Sequence, residues 1–529
     1  MIRITARPQQ LPNHPSHHTS GPTNPHPLAA PVFWLLVALI IFTPLFRAGA
    51  TPLAGLVSQL LSVAVLALVF WSPKRLSLTW PELLVLILLL LVPMLYLVPL
   101  PQAWIDTMPG RALYATANAQ FPTGNADIWK ATAIVPSATA AAGLALLLPV
   151  AVFVGVRTLD PPALLTLVKV LLAVAVLQAI LGLIQFGVGQ RGNVLFAVEG
   201  AHRNSATGTY ANRNHLAGLI EMMLPIALAL FFFSLGRSDP STQRAGFRRR
   251  KAASLGSSSG KVAPIYAIVA FLLIIGSIFT QSRTGIFLGM LGIILSALVF
   301  SRRIGGSNVF GPVGTVVALA VSFGIVIGLA PVLNRFSVDA LGEDGRWPLF
   351  ALVLQGAMQF FPLGTGPATF PAVFPTFQTV AFGNSFVNRA HNDYLEWVFD
   401  VGILGVLLVI LVLALYVRQW GRLRTSGEWT RLRFLQVAAG ISLLLLALHE
   451  LVDYNLYTPA NQIVLAVLAG IFFMPVEKRR VSDGRRRRKH GTPDLESALM
   501  SSRACTPEVA PDQIENPFHA TSREANDNP

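Results

Sequence analysis

Twelve apolar runs, most of them close to 20 residues long, constrain this chain more than any other feature: about 32–47, 52–71, 82–100, 139–157, 163–187, 214–235, 263–281, 284–300, 312–331, 395–417, 437–453 and 461–475. A helix crossing the hydrocarbon core of a bilayer needs roughly 20 apolar residues. Inside that core the backbone must satisfy its own N–H and C=O groups, which favours helices throughout. The expected fold class is all-α: a polytopic transmembrane helix bundle of twelve spans, with a large, partly helical loop over 332–394 before the tenth. The first and last runs are short, and the two runs around Arg283 lie close together, so eleven or thirteen spans also fit. Only 12% of the residues are charged, against about 25% in soluble domains.

The formal charge of +15 does not indicate a nucleic-acid partner, because the basic residues sit mainly in short loops between apolar runs. The segments 72–81, 236–262, 301–311 and 418–436 and the block Arg485-Arg486-Arg487-Arg488-Lys489 fall on one side if twelve spans leave both termini in the cytoplasm. The loops 101–138, 188–213 and 332–394 then face the periplasm or exterior. The single cysteine, Cys505, rules out an intramolecular disulfide and a cysteine metal site. Residues 1–30 read as a disordered cytoplasmic leader, with a start codon that can lie further downstream. The core falls into N-terminal helices (31–190) and a second region (191–475), followed by a basic and then polar cytoplasmic tail (476–529).

Polar groups gather at the ends of the runs on the outer side. Ionisable residues at a membrane helix mouth are expensive and are usually kept for chemistry. His391-Asn392-Asp393 with Glu396 precedes the tenth run. Arg213-Asn214-His215 opens the sixth, where Asn212 or Asn214 can cap the helix and its N–H groups can receive an anion. Gln281-Ser282-Arg283-Thr284 joins two runs with almost no loop. Glu343-Asp344-Gly345-Arg346 precedes an apolar stretch, Leu349 to Phe361, that reads as a short helix buried against the bundle or lying at the interface. Bland readings remain beside each: capping for Asn214, snorkelling for Arg283, a local ion pair for Arg346. Guanidinium groups suit bidentate binding of phosphate oxygens, and an imidazole near its working pH can take a proton from a hydroxyl.

Several of these segments resemble the O-antigen ligase and O-antigen polymerase superfamily of bacterial envelope proteins. His391-Asn392, nine residues, then Gly402-x-x-Gly405 is similar to the ligase motif. Tyr210 to Gly218, Ser282-Arg283-Thr284-Gly285, Gly364-x-Gly366 and His449-x-x-x-Asp453-x-Asn455 resemble others, over roughly 200–475. Asp400 stands where a Glu is expected. The resemblance implies glycan transfer from an undecaprenyl-pyrophosphate carrier to an acceptor hydroxyl, on lipid A-core or a growing polysaccharide. It implies an inner-membrane protein with a periplasmic active site and no metal, nucleotide or other cofactor. Carried over, Arg283 and Arg346 would grip pyrophosphate, His391 would assist transfer, and Asn214 would shape the cavity. Arg213, Asn392, Asp393 and Glu396 are further candidates for substrate binding, and Asp393 or Glu396 can replace His391 as base. Ligase, repeat-unit polymerase and protein-directed oligosaccharyltransferase all remain open. A glycolipid flippase or exporter is the alternative of another class, and it should carry charges within its spans.

Overall fold

The computed structural model describes residues 29–72, 76–112, 129–188, 205–236, 262–301, 314–315, 317–318, 322, 346–382, 386–425 and 429–476. The expected leader, the basic loop around 237–261 and the tail lie outside these residues. The order of the main helices is α1 (Ala29–Leu45), α2 (Pro52–Trp71), α3 (Trp80–Leu97), α4 (Pro136–Ala145), α5 (Leu147–Val156), α6 (Pro161–Val188), α7 (Arg213–Gly236), α8 (Ala263–Phe279), α9 (Arg283–Ser301), α10 (Arg346–Phe360), α11 (Asp393–Thr425), α12 (Arg431–His449) and α13 (Pro459–Phe472). One short antiparallel pair, Pro99–Pro101 with Trp129–Ala131, joins the segment after α3 to the one before α4.

Among the described residues, eight helices are long and apolar enough to cross a membrane, α4 and α5 forming one of them. Three shorter apolar helices, α1, α8 and α13, accompany them. Together they coincide with eleven of the twelve apolar runs. The remaining run, 312–331, lies almost wholly outside the described residues. The protein is a multi-pass membrane protein.

Helix α7 is the centre. Apart from Glu221, its sequence, LIEMMLPIALALFFF, is apolar around its whole circumference, and such a helix must be covered on all sides. It packs against α8, α9 and α12, and Leu216, Ile220, Met223, Ala227 and Phe232 are fully sealed. By contrast α2 and α3 leave Leu56, Leu60, Phe70, Ile87 and Met94 exposed, as expected of faces turned to lipid. A second, smaller core lies on the outer side of α11, where Leu349, Val353, Ala357 and Phe360 of α10 meet Phe370, Phe374 and Phe399.

The long helix α11 is kinked at Gly402, whose φ is 59° and ψ −137°. The carbonyl of Pro362 enters this kink and accepts the Ile403 N–H at 2.8 Å. A Cβ on residue 402 would lie 2.0 Å from that oxygen. Tyr96 donates its hydroxyl to the carbonyls of Leu363 and Val401, and Arg111 donates to those of Thr132 (2.7 Å) and Gly364 (3.0 Å). The 361–366 turn is thus the junction of α3, α10, α11 and the segment before α4. Gly402→Ala puts a side chain at positive φ against backbone that has no rotamer to yield, and should cost about 1–3 kcal/mol. A thermal melt of the detergent-solubilised variant checks this; an unchanged Tm would refute the assigned role of the kink.

Candidate functional site

The mouths of α7, α9, α11, α12 and α13 converge at one end of the bundle, and the loop from Glu450 to Thr458 threads between them. Asp453 is the hub of that loop. It is fully buried, and each oxygen has assigned partners. Oδ2 accepts from Asn214 Nδ2 and lies 3.5 Å from Arg346 Nη2. Oδ1 accepts the Tyr454 N–H at 2.9 Å and lies 3.8 Å from both His215 Nε2 and His391 Nδ1. Tyr454 stands edge-on between the two imidazoles, 4.6 Å from His215 and 4.8 Å from His391. His215 is held in turn by Thr458 Oγ1 on Nδ1 at 2.9 Å. Burial by itself would raise the pKa of Asp453, but the charges of His215, His449, Arg346 and His391 overcome it and leave the carboxyl below its usual value. Asp453 therefore stays ionised at neutral pH.

Beside this hub a cavity of about 240 Å³ is lined by Arg213, Asn214, Arg283, Arg346, Trp347 and Phe350, with Gln281, Ser282, Thr284 and Val452. Arg213 and Arg283 are the first residues of α7 and α9, so the positive ends of two helix dipoles accompany three guanidinium groups around one space. Arg346, the first residue of α10, links the cavity to Asp453. The side chains of Arg346 and His391 keep 26% and 29% of their surface open while Asp453 keeps none, so the hub is sealed and the groups it holds face outward. His391 has φ 52° and Gln281 φ 56°. Non-glycine residues in that region are uncommon and concentrate at functional sites.

Asp393 and Glu396 occupy different ground from the arginine cavity. Glu396 is fully buried, accepts the Ala390 N–H at 2.8 Å and pairs with Arg389 at 2.8 Å. Arg389 also lies over the Tyr457 ring, 3.7 Å from its centroid. Asp393 donates its N–H to the Glu450 carbonyl at 3.0 Å, and its Oδ2 accepts from Leu456 N at 3.3 Å. Burial raises the pKa of Glu450. Asn392 caps α11, its Oδ1 accepting from Leu395 N at 3.0 Å. These three residues set the shape of the loops that present His391 and Asp453. Of the two capping candidates on α7, Asn212 caps, through Asn214 N at 2.9 Å, which leaves the Asn214 amide for Asp453.

Three members of the site were given no role from the sequence: Asp453, His215 and Tyr454. The pattern His449-x-x-x-Asp453-x-Asn455 was the signal available for the first. Asn455 shows how tightly that loop is seated, since a Cβ on Gly218 of α7 would lie 2.3 Å from its Oδ1. Glu221, which reads as near-terminal in its span, sits on the third turn of α7 at 0% exposure. Both its oxygens reach His449 Nδ1, at 2.9 and 3.0 Å. Removing one member of a buried pair strands the other, so Glu221→Leu or His449→Leu alone should cost about 3 kcal/mol while the double replacement costs less. Thermal melts of the three variants test this; a double variant no better than the worse single one would exclude the pairing.

Residues 268–410 match the family model described as O-antigen ligase. No curated protein matches the chain. The matched segment contains Arg283, Arg346 and His391 through Gly405. The rest of the site, Arg213 to His215 and Asp453 with Tyr454, comes from chain on either side of it.

Proposed function

From the premise that the chain carries, over residues 268–410, a domain of the O-antigen ligase superfamily and performs membrane glycosyl transfer, we propose that it moves a glycan from an undecaprenyl-pyrophosphate carrier to an acceptor hydroxyl, in the manner of an O-antigen ligase, without metal or cofactor. The acceptor hydroxyl oxygen bonds to the anomeric carbon, and the bond from that carbon to the pyrophosphate oxygen breaks. The electron pair leaves on the pyrophosphate, and the hydroxyl proton passes to His391.

The observation that carries this reading is the placement of Arg213, Arg283 and Arg346 around one cavity, with Asp453 bridging Arg346 and His391. Charge develops on the departing pyrophosphate, and fixed guanidinium groups are worth most where charge develops. With Nδ1 turned to Asp453, His391 presents Nε2 as the base, and the carboxylate stabilises the imidazolium that forms. Asn214, donating to Asp453, orients it. The reading places the site on the periplasmic side of the inner membrane with both termini cytoplasmic. Arg418, Arg422, Arg424, Arg431 and Arg433, at the far ends of α11 and α12, support that orientation.

A flippase needs charge lining a path through its spans. The buried pair Glu221 and His449 is sealed by α7 and α12 at 0% exposure, which favours a one-sided enzyme. The second reading, a polymerase of O-antigen or exopolysaccharide repeat units, uses the same site with a growing glycan as acceptor. Purified protein in liposomes with a lipid-pyrophosphate-linked oligosaccharide separates the two. Transfer that requires added lipid A-core supports the ligase. A ladder of longer glycans on the carrier without it supports the polymerase. Absence of any transfer, with His391→Gln indistinguishable from the native chain, would refute both.

A further inference from the structure

Helix α10 is apolar on two opposite faces. One face, Leu349, Val353, Gly356, Ala357 and Phe360, is buried against α11 and the 370–377 turn. The other carries Trp347, Leu354 and Met358, 67%, 48% and 61% exposed, and is continued by Phe361 and Leu363 just past the helix end. An apolar face this continuous has to be covered by something apolar. Positions 347, 351, 354, 358 and 361 repeat at three and four residues, so they form one stripe along the helix. The 15-residue helix is about 22 Å long.

The stripe begins at the arginine cavity. Trp347 and Phe350, their rings 5.8 Å apart and edge to face, line that cavity together with Arg213, Arg283 and Arg346. A cationic pocket and an apolar track that share a wall are complementary to one molecule with an anionic head and a long hydrocarbon tail. We infer that the exposed stripe of α10 is the seat of the donor's polyprenyl chain, with the pyrophosphate in the arginine cavity and the first isoprene units against Trp347 and Phe350. This rests on the reading of the cavity as a pyrophosphate site. It makes tail length a determinant of affinity: a carrier too short to run along α10 gives up the apolar contact while keeping the charged one.

The test compares binding of undecaprenyl pyrophosphate and farnesyl pyrophosphate to the full chain in detergent, read by quenching of tryptophan fluorescence and by native mass spectrometry. It uses native protein and the Leu354→Gln/Met358→Gln variant, whose substitutions are exposed and outside the cavity. The native protein is expected to bind the long carrier at least about tenfold more tightly than the short one, and the variant to lose most of that preference with its farnesyl pyrophosphate affinity unchanged. Equal affinity of the native protein for the two carriers would overturn the inference and leave the arginine cavity standing. Failure to bind either pyrophosphate would overturn the cavity reading as well. If the variant keeps the full preference but partitions less well into vesicles, the stripe rests on bilayer acyl chains and the inference is wrong.

Discussion

Arg283→Ala should lower kcat for glycan transfer by about 10³-fold, with a smaller rise in KM. Arg283 opens α9 directly after Thr280, Gln281 and Ser282, which are almost sealed, so its backbone is fixed and its guanidinium is held at the cavity wall. In the proposed reaction the donor already carries negative charge when it binds, and the leaving pyrophosphate gains more as the bond breaks. A fixed cation therefore stabilises the transition state more than the bound donor, which is why kcat takes the larger part of the loss. Arg283→Lys restores charge but not the two-pronged geometry, and should recover only part of the rate. Steady-state kinetics in liposomes measure both variants. A kcat for Arg283→Ala within about threefold of the native value would remove this arginine from the mechanism.

Asp453→Asn should have an effect at least as large, a fall in kcat of about 10³- to 10⁴-fold. The replacement keeps the volume of a fully buried side chain but removes the charge that faces His391, His215 and Arg346. An amide can still accept from Tyr454 N, but it no longer stabilises an imidazolium at His391. The same substitution gives a pH signature. The folded protein holds Asp453 below its ordinary carboxylate value, because its electrostatic interactions with His215, His449, Arg346 and His391 outweigh the effect of burial. A depressed pKa contributes stability above the unfolded value of about 3.9 and loses it as pH falls through the folded value. The Tm gap between native protein and Asp453→Asn should be full at neutral pH and close in acid, below about pH 4. A gap that stays constant into acid would mean that Asp453 is not held ionised by its neighbours.

His391 and Arg283 were visible in the sequence because each is polar at a place where the chain is otherwise apolar. Asp453 was equally visible as a residue and equally close to a span end. What the sequence lacked was the partner list: Asn214, His215, Arg346 and His391 come from three other segments, between 62 and 239 positions away. Asp393 and Glu396 show the opposite case. They stand beside His391 in the chain and share its helix mouth, but one helical turn rotates them away from the arginine cavity. There they meet Glu450 and Arg389 and serve the loops.

The sequence by itself determined that this is a helical membrane bundle, since runs of about 20 apolar residues can satisfy their backbone in lipid in few other ways. It also showed that polar groups gather at the mouths of the runs, but the ends themselves moved: the run 395–417 became Asp393–Thr425 and the run 437–453 became Arg431–His449. Tertiary structure alone decided which helix is central, which of the end groups meet, and that one buried carboxylate ties a histidine to an arginine. Those choices depend on how α7 packs against α8, α9 and α12 and α11 against α10 and α3, and packing is set by the shapes of whole faces and by close approaches such as Gly218 on Asn455 and Gly402 on Pro362, which no local pattern encodes.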